Sequence, residues 1–497
     1  MILSWLFKHK PALPSGRVEL KFYIFLIPLF LFNTSLFSQS SVKQLEAGIN
    51  KIIDDPFFES SVISIDIFNL TDNLPLYKKN NRLLLHPASN MKILTSLAGL
   101  LFLGSGYQFE TKMLHTGIIS GDTLYGDIYV VGGFDPDFTT DDLEKFVNEL
   151  ENSGIKYIAG NLYTDLSAKD SLYWGKGWMW DDEPDPNAPY LSALNINDNS
   201  IEVFVSGTEI DSLPSVKLIP ETEYVQVENL AVTVAASNKN NFNITRSWVE
   251  RENKIIIDGE VRSGKVIDKD RNTEKLSLPE PGKYFLTLFK EQLQRRGIIF
   301  KGLIDKKTLP ENSTHLSSVY RSLDTVLVNM NKESDNLSAE MLLYALALND
   351  SGAPASAENG IEAIRRMIEL TGLDEENYSL ADGSGVSRYN LISTELIINI
   401  FKYFYNSKPY IFKTFYNTLS TAGIDGTLEK RMRNTLGEGN LKAKTGTLNG
   451  VATLSGFVNA ANGDLIAFSI FIQNYTTKNL TARKFIDRIC ELLAGFK

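Results

Sequence analysis

The sequence predicts an α/β (α+β) fold in which an antiparallel sheet is flanked by helices and interrupted by a β-rich insertion. Three observations lead there. The chain reads helix–strand–strand near its start and strand–strand–helix at its end, so its two ends can meet in one antiparallel sheet. The middle is dominated by short strand patterns separated by Ser, Asn, Gly and Lys turns. With 497 residues the chain is too long for one ordinary core, so two or three domains are expected.

The elements follow in order. Residues 22–32 are apolar, follow Lys21 and precede the small polar run Ser35–Ser41. That arrangement predicts an export signal over residues 1–38, cut near Ser38-Gln39. The apolar run is short for a membrane span and Pro28 interrupts it; an uncleaved anchor is the alternative. No cysteine stands at the cut, which excludes a lipoprotein. The folded part is expected outside the cytoplasm, in the periplasm. Leu45, Ile49, Ile52 and Ile53 mark an amphipathic helix over Ser41–Asp54. Ser61–Phe68 alternates as a strand, and Thr71-Asp72-Asn73 turns it into a second. Residues 111–133 read as short strands, and Thr140–Asn152 as a helix.

The stretch Trp174–Pro184 is dense in aromatic and acidic residues and has no period; it reads as a packed loop or as a wall of a site. Residues 200–277 are β-rich and are expected as a separate small domain. Tyr284, Phe285, Leu288, Phe289 and Leu293 predict a helix over Pro281–Arg296 that rejoins the first domain. Val319–Arg321 reads as a strand, and helices are expected at Leu323–Asn331, Leu337–Leu348 and Ala357–Leu370. Near the end, Leu441–Thr447 precedes two strands, Val451–Val458 and Leu465–Gln473, joined at Asn462-Gly463. A helix over Thr481–Phe496 carries Cys490 within its apolar stripe.

Composition bounds the function. Hydrophobic residues make up 43% and charged ones 22%, and the net charge of −10 argues against nucleic-acid binding. A single cysteine leaves no internal disulfide and no cysteine metal site. The four histidines are scattered, so no metal or other cofactor is expected. His86 lies three residues before Ser89, but the preceding Leu83-Leu84-Leu85 marks it as a strand-end residue rather than a base.

The chemistry is placed at Pro87–Ser96. Ser89 opens a run with helical apolar spacing (Ile93, Leu94, Leu97, Leu100, Leu101), and positions i and i+3 share a helix face. The Ser89 hydroxyl and the Lys92 amine can therefore approach, while unpaired N–H groups at the helix start suit a developing oxyanion. Read alone, the pair is more simply an N-cap serine with a solvated lysine, and Ser40–Lys43 has the same spacing with no function assigned. Company changes the reading. Ser334-Asp335-Asn336 is the only Ser-x-Asn in the chain, Lys444-Thr445-Gly446 is the only Lys-Thr-Gly, and the three motifs stand in the order used by penicillin-recognising serine enzymes. The Gly-rich run Asp382–Asn390 lacks the strand–Gly–helix pattern of a phosphate loop, so a nucleotide site is rejected.

Further blocks point the same way: Gly132-Gly133-Phe134-Asp135-Pro136, Trp178-Met-Trp180-Asp181-Asp182, Met330-Asn331-Lys332, Asp382-Gly-Ser-Gly-Val-Ser-Arg388 and Ala422-Gly-Ile-Asp425-Gly426-Thr427. With them the sequence, from about residue 43 to its end, resembles the D-alanyl-D-alanine carboxypeptidase/endopeptidase branch of the penicillin-binding proteins, the DacB type. Departures are small: Val386 stands where leucine is usual, Phe134 where a glycine precedes Asp-Pro, and Asp185–Pro189 lacks an aromatic.

The resemblance implies a transpeptidase domain like that of penicillin-binding proteins and β-lactamases. Its expected extent is residues 39–108 and 281–497, with 170–199 lining its cleft and 109–280 inserted. It also implies the roles. Ser89 is the nucleophile and Lys92 the base; Ser334 relays the proton to the leaving amine and Asn336 orients Lys92 and the peptide. Lys444, Thr445 and Thr447 hold the substrate carboxylate, beside a Gly446 backbone that lets the substrate lie close. Asp182 and Arg388 match positions near a pocket for the stem peptide's diamino-acid side chain. The partners implied are peptidoglycan stem peptides and, as covalent inhibitors, β-lactams. A β-lactamase or esterase, and an inactive cell-wall-binding relative, are the readings set against it.

Overall fold

The structure is a computed structural model that describes residues 41–264 and 272–497, so the predicted signal peptide lies outside the described residues. The strands nearest the two ends of the chain meet in one sheet. Its order is Ser420–Thr421, Leu441–Leu448, Val451–Asn459, Leu465–Gln473, Val62–Asn69 and Leu74–Lys79, antiparallel throughout.

Alternation builds two cores on this sheet, because successive side chains of a strand point to opposite faces. From Leu465–Gln473, Ile466, Phe468, Ile470 and Ile472 join a core closed by the helices at residues 41–53 and Asn479–Ala494. Ala467 and Phe471 point the other way, into a core with the helices Met91–Phe102, Asn336–Ser351 and Thr394–Ser407. A strand covered on both faces reads as a near-continuous apolar run, which Leu465–Gln473 does apart from Ser469 and its last residue. Cys490 is buried in the first of these cores.

A third core belongs to the insertion. It begins at Met113 and ends at Val319, while Phe109 and Leu323 belong to the catalytic side. Two expectations are corrected here. The helix Pro281–Arg295 does not lead back to the first domain: Tyr284, Phe285, Leu288, Phe289 and Leu293 all pack in the insertion core. The strand after it, Thr314–Ser322, pairs antiparallel with Gln108–His115, so the return comes about forty residues later than expected, at Leu323. An apolar stripe announces a helix but does not say which sheet it covers. Residues 200–277 likewise share this core with Met113–Leu162 instead of building their own.

Candidate active site

The turn before Met91–Phe102 is tight: Ala88–Asn90 form a 3-10 turn, and Ala88 has φ +46°, a left-handed conformation that non-glycine residues rarely adopt. Ser89 thus leaves the backbone where the chain bends sharply into the helix, partly exposed to the cleft. The turn is tied to the Lys-Thr-Gly strand next to it. Asn90 Nδ2 donates to Thr453 Oγ1 at 2.7 Å and to the Lys444 carbonyl at 3.2 Å, and Thr453 Oγ1 donates to the Pro87 carbonyl at 2.9 Å.

One helical turn on, Lys92 is wholly buried. Its Nζ lies 3.1 Å from Ser89 Oγ, 2.5 Å from Asn336 Oδ1 and 2.8 Å from the Ser384 carbonyl oxygen. Asn336 cannot present its amide nitrogen instead, because Nδ2 donates to the Asn187 carbonyl at 2.5 Å. The amine therefore faces two obligate acceptors and one hydroxyl that can itself donate. A neutral amine fits this set, with two N–H bonds given and a lone pair turned to the serine proton. Burial pushes the Lys92 pKa down to about 8, against the opposing pull of Asp335, Asp382 and Glu340.

The second motif arrives on irregular backbone. The helix Leu323–Val328 widens into a π-turn, Asn329–Glu333, and Ser334 follows at φ +66°. Asp335 then caps Asn336–Ser351 by accepting from Ser338 N. Lys444 Nζ donates to Ser334 Oγ at 2.8 Å and to the Thr445 carbonyl at 3.1 Å. Lys444 is wholly buried, and burial first, then the Lys92 charge, holds its pKa well below the usual lysine value. The Lys92 charge thus disfavours a second charge on Lys444.

Gly446 is there for clearance. A Cβ at this position would lie 2.1 Å from Thr453 Oγ1 and 2.9 Å from the Pro87 carbonyl. Thr445 Oγ1 donates to Thr427 Oγ1 at 2.8 Å, and Thr447 Oγ1 accepts from Arg483 Nη2 at 2.8 Å.

Ser89, Ser334, Asn336, Thr445, Gly446, Thr447 and Asp182 all line one cleft of about 500 Å³, and Lys92 and Lys444 are buried against Ser89 and Ser334. Burial raises the Asp182 carboxyl pKa, and Arg388 acts against it through its charge. Arg388 is not among the lining residues of this cleft; its backbone N–H donates to the Gly177 carbonyl, joining its loop to the Trp178–Asp182 segment.

Several residues around the site escaped the sequence reading. Ser384, whose carbonyl accepts from Lys92, sits in the Gly-rich run, where the sequence assigns a role to Arg388 alone. Asp382 braces that run by accepting from Gly385 N at 2.8 Å, Ser387 N at 2.6 Å, Asn390 Nδ2 at 2.6 Å and Trp178 Nε1 at 2.9 Å. Glu340, buried on Asn336–Ser351, accepts from Gly383 N and Ser384 N; burial, then Asp382, raises its pKa to about 8. Gly385 at φ +87° lets the run touch the nucleophile turn, where a Cβ would lie 1.9 Å from the Ala88 carbonyl. Asn187, Arg431 and Arg483 also line the cleft.

Comparison with known proteins gives the chain a family. A family model described as D-Ala-D-Ala carboxypeptidase 3 (S13) matches residues 45–495. The chain is 31% identical over 453 residues to the D-alanyl-D-alanine carboxypeptidase of Actinomadura sp. (strain R39), covering 87% of this chain and 81% of that protein. It is 30% identical over 435 residues to the D-alanyl-D-alanine carboxypeptidase DacB of Haemophilus influenzae, covering 86% and 88%. The crystal structure of penicillin binding protein 4 (dacB) from Haemophilus influenzae superposes with TM-score 0.77 at 27% identity, over 89% of this chain and 97% of that one. The crystal structure of that protein complexed with a novel β-lactam gives 0.73 at 26% identity, over 90% and 99%. The α/β fold expected from the sequence is the one found, and the chain belongs to the D-Ala-D-Ala carboxypeptidase 3 (S13) family.

Proposed function

We propose that this chain is a serine-type carboxypeptidase or endopeptidase that cleaves the bond following a D-alanine in peptidoglycan stem peptides and is acylated by β-lactams. The observation that carries this reading is the Lys92 amine, buried between two fixed acceptors and 3.1 Å from Ser89 Oγ. The free amine takes the Ser89 proton as Oγ attacks the D-alanine carbonyl, and the N–H groups of Ser89 and Thr447 hold the oxyanion. Ser334, hydrogen-bonded to Lys444, relays that proton from Lys92 to the leaving amine as the C–N bond breaks, which returns Lys92 to its free form. Lys92 then takes a proton from the water that attacks the acyl ester and gives it to Ser89 Oγ as the ester bond breaks.

Lys444, Thr445 and Thr447 hold the leaving group's carboxylate, and Gly446 lets the substrate backbone lie against the strand. Asn336 orients Lys92 and the peptide amide. Asp182 and Arg388 read the ends of a diamino-acid side chain. The catalytic unit comprises residues 39–108 and the part of the chain after Ser322, with the β-rich units inserted, and the enzyme works outside the cytoplasm behind a signal peptide over residues 1–38.

The test is digestion of purified sacculi with the protein, followed by mass analysis of the fragments. Release of D-alanine, or of uncross-linked peptides from cross-linked ones, is expected. Intact sacculi together with rapid, repeated hydrolysis of penicillin would point to a β-lactamase instead.

A further inference from the structure

The Thr447 hydroxyl is engaged from the side away from the catalytic turn. Arg483, from the helix Asn479–Ala494, donates through Nη2 to Thr447 Oγ1 at 2.8 Å and lines the same cleft as Ser89. The nearest acid on its own helix is already taken: Asp487 accepts from Arg431 Nε at 3.1 Å and Nη2 at 2.6 Å. Among the described residues, Arg483 has no carboxylate in ion-pair contact. Burial first, then the Arg431 charge, pulls its pKa below the usual guanidinium value, as happens to a cation short of a counter-charge. The lining of the cleft thus carries charges of both signs, Arg431 and Arg483 with Asp182 and Asp185.

A hydroxyl has one proton. When the Thr447 oxygen accepts from a guanidinium, that proton is turned outward and the group becomes a donor towards the cleft. Donors suit an anion; a carboxamide, which brings its own N–H groups, suits them less. We propose that Arg483 sets the enzyme's specificity for a free carboxylate beside the leaving nitrogen. It fixes the Thr447 hydroxyl as a donor and adds its own positive charge and unused N–H groups at that end of the cleft. This rests on the reading in which Thr445 and Thr447 receive the carboxylate, and it deepens that reading by naming the residue that makes the carboxylate a requirement.

The experiment compares two acyl-D-alanyl-D-alanine peptides, one with a free C-terminal carboxylate and one with a C-terminal amide. The wild type is expected to prefer the acid. In Arg483→Gln, kcat/KM for the acid is expected to fall by about ten- to a hundredfold, the size of one charge-assisted hydrogen bond, mainly through KM. The amide is expected to suffer much less, so that the preference collapses. If the neutral variant does not fold, Arg483→Lys gives the same readout in weaker form, because an ammonium keeps the charge but not the two-pronged donor geometry. An unchanged preference overturns the proposal, and so does an equal loss on both peptides, which would make Arg483 a purely structural residue. A wild type that cleaves neither peptide removes the underlying functional reading instead.

Discussion

Burial brings the Lys92 amine down to about 8, so it passes from mostly charged to mostly free as pH rises through that value. Acylation consumes the free form. The sign is therefore fixed: kcat/KM should climb with pH and level off above about 8, and a flat profile across this range would contradict Lys92 as the base. The profile will also carry Lys444, since the Lys92 charge bears on it. Gly446 is a second residue with a sharp consequence. In Gly446→Ala the new methyl would lie 2.1 Å from Thr453 Oγ1, so Thr453 must shift and release Asn90 and the Pro87 carbonyl. A displacement of this kind at the nucleophile turn lowers acylation by on the order of a hundredfold. Rates of labelling by a fluorescent penicillin would show it, and a variant labelled at the wild-type rate would exclude it. At this scale the three motifs were legible because their spacing is local. Arg483 and Ser384 were not, because each meets its partner across a long stretch of chain and neither sits in a pattern that names its task.

The Gly-rich run between Asp382 and Asn390 shows what an irregular element needs in order to be rigid. Carboxylates take up N–H groups that the run leaves without a carbonyl: Asp382 accepts from Gly385 N, Ser387 N, the Asn390 amide and the Trp178 indole, and Glu340 accepts from Gly383 N and Ser384 N. In Asp382→Ala these donors lose their acceptor inside the protein, each at a cost of about 1–3 kcal/mol before relaxation. A net loss of roughly 3 kcal/mol is expected in denaturant titration, together with slower acylation because the Ser384 carbonyl drifts from Lys92. A variant as stable as the wild type would mean that water replaces the carboxylate. Regular elements were more legible than this loop. Thr140–Asn152 and Leu465–Gln473 were placed to the residue, since period and turn residues bound them on both sides. The π-turn at Asn329–Glu333 falls, as far as Asn331, within a stretch that reads as plain helix, because one extra residue in a turn leaves the apolar spacing nearly intact.

Across the whole molecule, the two ends of the chain are joined by the pairing of Val62–Asn69 with Leu465–Gln473. Ile470 stands at the centre of that joint, between Ile65 and Leu454, fully buried. Ile470→Ala is expected to cost about 2–5 kcal/mol. Because the sheet also carries Lys444, penicillin labelling should disappear in step with the loss of structure on heating. The meeting of the chain ends was legible from strand order alone; the point at which the insertion ends was not, because an amphipathic helix fits either core. The proposed reaction requires residues 89, 92, 334 and 444 to act as one reactive cluster. Its most direct measurement is mass analysis of the protein after exposure to a labelled penicillin. One acyl group per chain on the peptide containing Ser89, and none in Ser89→Ala, is the predicted result. Label on another residue, or label that persists in Ser89→Ala, would contradict the account.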